Sequence, residues 1–256
     1  MSKKGCMRRI AHFSCGAASA VATKISNPDE IWYARTGGED ADNERFLLDC
    51  QEWFGKDITI LQSEKYASTW DLWESKRFLS GPKGAPCTKE LKVNPLKKHA
   101  LPDDINIIGY TCEEARRVKQ IQAISPGVQF EFPLIERGLG KPACLGALEH
   151  AGIKPPRVYE LGFHNANCIP CVKASSPAYW ALMRQHFPEE FWRMDRKARE
   201  LGARLVQFSN RLNKETGKWE KERGFPSDVS ENTPTQDPVS PACDLLCSAM
   251  TAEFES

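Results

Sequence analysis

Strand-like and helix-like segments alternate along the first half of the chain, and this alternation constrains the fold more than any other feature. Strand-like runs end at Phe13, Thr36, Leu61 and Tyr110, and a helix-like segment follows each of them. This order predicts βαβ units and a mainly parallel sheet. Such sheets bind ligands beyond the carboxyl ends of their strands. We therefore expect the loops after these four residues to line a binding site.

The predicted elements divide the chain into two parts. Residues 1–135 form an α/β domain, and residues 136–256 form a mostly helical region with a hairpin and a tail. The predicted strands are Arg8–Phe13, Glu30–Thr36, Ile58–Leu61, Ile105–Tyr110 and Phe130–Leu134. The predicted helices are Ser19–Ile25, Asp42–Trp53, Thr69–Phe78, one that starts near Thr111, Ala143–Ala151, Pro177–His186 and Pro188–Leu201. The hairpin pairs Ala203–Arg211 with Lys218–Lys221.

The composition excludes several classes of protein. Apolar residues make up 41% and charged residues 27% of the 256 residues, which is typical of a folded globular chain. The 35 basic residues balance the 34 acidic ones, so the chain is not strongly basic, although a local basic groove is compatible with this balance. No apolar run reaches the roughly 18 residues that span a bilayer. The basic N-terminus also lacks the apolar segment of a secretory signal. We therefore expect a cytoplasmic protein with no membrane partner.

Ten cysteines are many for a cytoplasmic protein of this size. In a reducing compartment they are expected to be thiols, metal ligands or redox groups rather than structural disulfides. Two pairs are closely spaced, Cys168 with Cys171 and Cys243 with Cys247. A Cys-x-x-Cys loop holds both sulfurs near one point, so it can chelate a metal ion or part of an iron-sulfur cluster. It can equally form a redox dithiol, or it can hold two thiols with neither role.

The loop Ser14–Ser19 lies directly between a predicted strand and a predicted helix. Its small residues let the backbone pass close to a ligand, and the N–H groups at a helix N-terminus favour an anion. The loop lacks the Gly-Lys-Ser/Thr of a Walker motif, and its simpler interpretation is a tight turn with no ligand. Cys15 is either a thiol whose pKa the loop amides lower or a small buried residue.

The segment Cys87–Leu96 combines a cysteine with two lysines. Lys89 and Lys92 are spaced to share one face of a helix, where they can meet a phosphate or sulfate. Cys87 lies just before that helix, where a thiolate is stabilised. The alternative is a solvated basic helix beside a buried cysteine.

The order of these segments resembles the phosphoadenosine phosphosulfate (PAPS) reductase family of the adenine nucleotide alpha hydrolase (PP-loop) superfamily. It is most similar to a short branch found in phage and bacterial genomes. Cys87–Leu96 resembles the family's Cys-Thr-x-x-Leu-Lys-x-x-Pro-Leu motif, and the segment around Cys168 resembles its Asn-Cys-x-x-Cys-Val-Lys block. The further matching segments are Ser14–Ser19, Thr36 with Glu39–Asn43, Gly109–Arg117, and Tyr159–Lys173 followed by Tyr179 and Trp180.

The resemblance implies a Rossmann-like fold and an oxidoreductase that binds an adenine nucleotide and reduces a sulfonucleotide to sulfite. The nucleotide is then PAPS, adenosine phosphosulfate or ATP, and a thioredoxin-like protein is the expected electron donor. A homo-oligomer is compatible with this interpretation. Cys87 and Lys92 are the implied catalytic residues. The implied nucleotide-binding residues come from the loops that match the family: Ser14, Cys15, Gly16, Ala17, Ala18, Ser19, Thr36, Lys89, Glu114 and Arg117.

Cys168 and Cys171 are expected to ligate a metal centre that Cys87 and Cys144 complete. Four thiolates suit zinc as well as iron-sulfur chemistry, and only the resemblance favours a [4Fe-4S] cluster. Cys87 stands at the family's cysteine position, whereas Cys144 is proposed because it lies shortly upstream of the Cys-x-x-Cys. Cys243 and Cys247 are the rival pair.

Three departures from the family pattern matter. Cys15 and Ala18 replace a Gly and an Asp of the usual Ser-Gly-Gly-x-Asp-Ser loop, and that acid is expected in members that adenylate a substrate with ATP. The chain lacks the Glu-Cys-Gly-x-His segment of assimilatory reductases. Only Cys87 stands where cluster-containing relatives have a Cys-Cys pair. The alternative functions are an ATP-dependent iron-sulfur sulfurtransferase that modifies nucleic acid, and a non-catalytic nucleotide- or metal-binding module.

Overall fold

Five parallel strands form the central sheet of the computed structural model, which describes residues 7–82, 84–212, 216–217 and 219–242. The strands are β1 Arg9–Phe13, β2 Glu30–Ala34, β3 Ile58–Leu61, β4 Ile105–Ile107 and β5 Gln129–Glu131. Their order is β3-β2-β1-β4-β5, so the direction of strand addition reverses between β1 and β4. Open α/β sheets bind ligands at such a reversal. The loops after β1 and β4 therefore lie where a ligand is expected.

Three helices cover one face of the sheet: α1 Ala17–Ser26, α2 Asn43–Phe54 and α7 Lys141–His150. They bury a large apolar cluster with side chains from β1 and β2, in which Phe13 of β1 packs against Phe46 of α2. Burying a side chain of that size contributes about 1.5–3 kcal/mol. α1 consists largely of alanine and other small residues, so it can pack closely against α7. This packing holds the start of α1 at the end of β1.

The opposite face has a much smaller apolar cluster. It contains Ile10, Trp32 and Leu61, and Leu96 from α4 Asn94–His99 packs on it. On this side, α5 Arg116–Ile124 buries none of its residues. Little apolar packing therefore covers this face of the sheet.

α8 Pro177–His186 and α9 Pro188–Glu200 form a second core with the segment that carries the Cys-x-x-Cys. Both helices begin at a proline, whose missing N–H is not needed at the first helical position. α3 Thr69–Lys76 packs into the same core through Trp73. Beyond α9, β6 Val206–Leu212 pairs antiparallel with β7 Trp219–Gly224. Part of the predicted turn between them, residues 213–215, lies outside the described residues.

The predicted α/β class with a parallel sheet is confirmed. β3 and α8 have the predicted bounds, whereas β4 and β5 are shorter than predicted. β4 ends before Gly109 because the chain there turns against α1. β5 ends before Pro133, since that proline starts the short helix α6 Pro133–Glu136 instead of continuing the strand.

α7 lies beyond the predicted domain boundary at residue 135 yet packs against α1. The division of the chain into two domains stays a prediction. Among the residues that the structure describes, no helix combines the length and the apolar character that a membrane crossing needs.

Candidate active site

The loop between β1 and α1 is closed by its own side chains. Ser19 Oγ accepts a hydrogen bond from the Ser14 N–H at 3.1 Å and donates to the Gly16 carbonyl at 2.9 Å. The Ala17 N–H donates to the hydroxyl of Tyr159 at 3.2 Å. The start of α1 is therefore held in a fixed shape, with its amides at the carboxyl end of the sheet.

Close backbone approaches bring the loop after β4 against this turn. A Cβ at Gly109 would lie 2.7 Å from Cα of Ser19, so only glycine fits there. A Cβ at Gly16 would lie 3.3 Å from the Tyr159 hydroxyl oxygen, which is a tight contact. The two loops at the strand reversal thus form the walls of one cleft.

We call this space the loop cleft; its volume is about 290 Å³. Its walls include four of the predicted loop residues, Ser14, Gly16, Ala18 and Ser19. Cys15 and Ala17 do not line it, because both side chains are buried in the core under α1. The other lining residues are His12, Ile108, Gly109, Tyr110, Glu114, Arg117, Lys141, Tyr159, Asn165, Ala166 and Asn167.

A second space, the thiol cleft, has a volume of about 790 Å³. Cys87, Cys168 and Cys171 line it together with Thr36 and Lys92. It shares four lining residues with the loop cleft, namely Glu114, Arg117, Asn165 and Asn167. The predicted anion loop and three of the predicted cysteines therefore open on one continuous groove.

The loop after β2 positions Cys168. Thr36 Oγ1 lies 3.1 Å from the sulfur of Cys168 and donates its own hydrogen to Glu39 at 2.7 Å. The Ile169 N–H donates to the Gly38 carbonyl at 2.7 Å, which ties the Cys-x-x-Cys loop to the same turn. The Thr36 hydroxyl and the Gly38 carbonyl thus hold the Cys-x-x-Cys loop beside the turn after β2.

Burial dominates the electrostatics of Cys87 and Cys168. It raises the pKa of Cys168 to about 11, against the opposing charge of Lys92. It also raises the pKa of Cys87; the nearby Cys171 raises this pKa further, while Lys92 lowers it. A thiolate is the nucleophilic form of cysteine, so an added positive charge or a deprotonating group is needed to activate either thiol at neutral pH.

The structure differs from the prediction that Lys89 and Lys92 share one face of an α-helix. Thr88–Val93 is a π-helix, in which the Asn94 N–H donates to the carbonyl of Lys89, five residues back. Its wider turn sets residues three apart farther apart around the helix axis than an α-helix does. Both lysines are exposed; Lys92 lines the thiol cleft, and Lys89 lines neither cleft.

Arg117 stands where the two clefts meet. Its guanidinium forms an ion pair with Glu114 and lies 4.1 Å from the ring centroid of Tyr110. The ring and the carboxylate together fix the direction of a half-exposed side chain. A fixed guanidinium in a shared wall is well placed for an anion that extends from one cleft into the other.

Cys144 is fully buried in the core that α1 and α7 form, and it lines neither cleft. The structure therefore does not bring it together with Cys87, Cys168 and Cys171. Nor does any group of three or more His, Cys, Asp and Glu side chains within the described part of the chain have the arrangement of a metal site. Cys243 and Cys247 lie outside the described residues.

Cys15 is a buried residue rather than an activated thiol. Its sulfur is fully enclosed, and burial raises its pKa to about 12. Its backbone adopts φ 52°, the left-handed region that favours glycine. The backbone at Cys15 thus takes a conformation that glycine favours and directs the thiol into the core.

Sequence reasoning missed His12, Lys141 and Tyr159, which also line the loop cleft. Lys141 donates to the His164 carbonyl and to Asn165 Oδ1, and burial lowers the pKa of its ammonium group. His12 has a sequence signal, because it is a polar residue near the end of an apolar strand, and Tyr159 begins the segment Tyr159–Lys173 that carries part of the family resemblance. His164 hydrogen-bonds through Nε2 to the Asp237 carbonyl at 3.1 Å.

No family model and no curated protein matches this chain. Among solved structures, the chain is similar to a crystal structure of phosphoadenylyl-sulfate (PAPS) reductase from Candida auris in a phosphate complex. The alignment covers 64% of this chain and 82% of that chain, with a TM-score of 0.48 and 13% sequence identity. A likeness this distant assigns neither a substrate nor a residue role to the present chain.

Proposed function

We propose that the protein is a PAPS reductase-like enzyme that binds an adenine sulfonucleotide and reduces its sulfur to sulfite. One observation carries this proposal: the loop cleft and the thiol cleft share Glu114, Arg117, Asn165 and Asn167. A nucleotide held by the loop between β1 and α1 extends from there toward three cysteines. Anion binding and thiol chemistry thus meet in one groove.

The chain offers donors for a phosphate-sulfate group along this groove. Ser14, Ser19 and the first turn of α1 lie at one end, and helix N-termini favour anions. A ligand there would replace the hydrogen bonds that the Ser19 hydroxyl and the Ala17 N–H make within the protein. Arg117 stands between the clefts and Lys92 at the thiol end. Positive groups in a partly closed site stabilise charge that develops on the leaving phosphate.

The proposed first step is attack by the thiolate of Cys87 on the sulfur of the sulfonucleotide. A bond forms between the two sulfur atoms, and the bond from sulfur to the phosphate oxygen breaks. The products are a sulfonated Cys87 and the adenosine phosphate. Lys92 supports this step because it lowers the pKa of Cys87.

The proposed second step releases sulfite. The thiolate of Cys171 attacks Sγ of Cys87, a disulfide forms, and sulfite leaves with the electron pair of the broken sulfur-sulfur bond. Cys171 is suited to this role because it lies close enough to Cys87 to raise its pKa. An external dithiol, such as a thioredoxin-like protein, then reduces the disulfide by exchange.

A metal centre stays a prediction. The four-cysteine ligand set does not fit the geometry, because Cys144 is enclosed in another core, and we derive no step through a [4Fe-4S] cluster or zinc. An anaerobic preparation with an absorption spectrum and with iron and zinc analysis tests it. One metal centre per chain that binds through Cys87 and Cys171 would occupy the two thiols and contradict the two-step route.

The deciding assay offers the full chain PAPS or adenosine phosphosulfate with a dithiol reductant and measures sulfite. We expect sulfite from one of the two substrates, and loss of turnover in Cys87→Ser and Cys171→Ser. Cys112→Ser is the matched control, because Cys112 is exposed and lines neither cleft. No sulfite from either substrate rejects the proposal. ATP–pyrophosphate exchange in its place would favour a sulfurtransferase.

A further inference from the structure

His12 lies on the sheet face that carries few apolar residues, and it opens on the loop cleft. Ile10 pairs with Asn106 across β1 and β4, so the alternation of side chains places Ile10, His12 and Asn106 on one face. The ring of Trp32, on the neighbouring strand, lies 6.4 Å from the imidazole centroid. The imidazole is therefore held between Trp32 on one side and Asn106 on the other.

Asn106 fixes which ring nitrogen of His12 carries the hydrogen. Asn106 Nδ2 donates to the carbonyls of Asp104 and Gln129, at 3.3 Å and 3.2 Å. Its Oδ1, which lies 2.7 Å from His12 Nε2, must therefore be the acceptor. Nε2 is protonated and donates, and the side-chain partner thus sets the tautomer.

The other nitrogen, Nδ1, is left as an acceptor. Burial lowers the pKa of His12, so the imidazole is neutral at neutral pH and Nδ1 carries a lone pair. Within the described residues, Nδ1 has no hydrogen-bond partner. It is also not one of the fully buried side-chain atoms that lack a partner, so part of its surface is accessible. The lone pair is therefore available to a molecule in the loop cleft.

We propose that His12 Nδ1 accepts a hydrogen bond from the nucleoside part of the ligand, from a ribose hydroxyl or from the amino group of the base. This inference rests on the proposed binding of a nucleotide in the loop cleft. A lone pair repels phosphate and sulfate oxygens, which carry no hydrogen, whereas hydroxyl and amino groups donate one. His12 thus distinguishes a nucleotide from free phosphate or pyrophosphate.

The roles in the cleft then divide along its length. Ser14, Ser19 and the helix amides meet the anionic part, and Lys141 and Arg117 add positive charge there. His12 contributes no charge and lies at the floor made by the strands. This division predicts that its removal changes nucleotide affinity and leaves pyrophosphate affinity unchanged.

His12→Gln is the sharpest variant. A glutamine amide reaches the position of Nε2 and can still donate to Asn106, but it leaves the position of Nδ1 empty. We expect about three- to tenfold weaker binding of adenosine 5′-phosphosulfate by calorimetry, as for the loss of one neutral hydrogen bond. Pyrophosphate affinity should stay within error of the parent.

Ligand analogues identify the donor. If a ribose hydroxyl donates, the parent prefers the ribonucleotide over the analogue that lacks that hydroxyl, and His12→Gln loses the preference. If the base amino group donates, the same holds for adenosine against inosine nucleotides. His12→Asn, whose amide oxygen comes near the position of Nδ1, should recover part of the lost affinity.

The outcomes separate this inference from the function it rests on. A parent protein that binds no nucleotide rejects both. A parent that binds nucleotide, with equal affinity and unchanged preferences in His12→Gln, rejects the role of His12 and leaves the proposed function standing. A parallel loss of pyrophosphate affinity in His12→Gln, with the melting temperature of the parent, would also overturn the proposed role of His12. The substitution would then act on the loop that binds the anion.

Discussion

Cys15 shows how one residue shapes the turn at the end of β1. Its φ of 52° belongs to the left-handed region, in which a Cβ is strained by about 1–2 kcal/mol. Its side chain fills a space in the core and lies 3.9 Å from the carbonyl of Asn43. The strained conformation is therefore offset by packing, and the two contributions can be separated by mutation.

We expect Cys15→Gly to change the free energy of unfolding by less than about 1 kcal/mol, because relief of backbone strain offsets the lost packing. Cys15→Val keeps an apolar side chain but places a β-branched residue at positive φ, so it should destabilise by more than about 2 kcal/mol. Urea unfolding of both variants measures the difference. If valine proved as stable as glycine, the turn would not hold the conformation described here.

At the scale of the element, the π-helix Thr88–Val93 decides which lysine reaches the thiols. A hydrogen bond to the residue five back widens the turn; both lysines are exposed, but Lys92 lines the thiol cleft and Lys89 does not. Neither the charge pattern nor the helical spacing in the sequence reveals such a turn. The two lysines make a matched pair, with equal charge and different access to the cysteines.

We expect Lys92→Glu to slow alkylation of Cys87 and Cys168 at a given pH. The thiolate is the reactive form, and Lys92 lowers the pKa of both groups. The pKa of Cys168 is raised to about 11, so its reaction rate should rise with pH across the neutral and alkaline range, and the variant profile should move to higher pH. Iodoacetamide labelling followed by mass spectrometry gives the rate at each cysteine.

Lys89→Glu is the control for this prediction, since it makes the same change of charge away from the cleft. Its pH profile should shift less than that of Lys92→Glu, because Lys92 is among the main groups that lower the pKa of Cys87 and Cys168 and Lys89 is not. Equal shifts in the two variants would mean that net charge, rather than the position of Lys92, sets the reactivity.

Local sequence patterns predict the bounds of helices and strands better than they predict the contacts between these elements across the molecule. The bounds of β3 and α8 follow from apolar periodicity and from a proline at the helix start, which are local signals. Cys144 was expected near Cys168 because the two are close along the chain, yet α7 buries it against α1. The contact between His12 and Asn106 joins residues that lie 94 positions apart, so no local pattern can reveal it.

One long-range ion pair joins the loop after β2 to the segment that leads to the Cys-x-x-Cys. Asp40 is buried, and Arg157 donates to both of its carboxylate oxygens at 2.8 Å. The loop that holds Thr36 against Cys168 is thereby fixed to the chain before Tyr159. A carboxylate left in this position without its partner is costly, because charged groups need hydrogen bonds when they are buried.

We expect Arg157→Ala to destabilise the protein by about 1–3 kcal/mol, since it removes the guanidinium partner of the buried Asp40 carboxylate, which keeps the hydrogen bond from the Asp42 N–H. Solvent lowers this free-energy cost, because half of the Arg157 side chain is in contact with water. Lys154→Ala is the control: it breaks the exposed pair with Glu160, which should be worth less than about 1 kcal/mol.

Because the ion pair between Asp40 and Arg157 supports the loop beside Cys168, Arg157→Ala should also speed alkylation of that cysteine, whereas Lys154→Ala should not. Equal unfolding free energies in the two variants would show that the Asp40–Arg157 contact does not hold the two segments together.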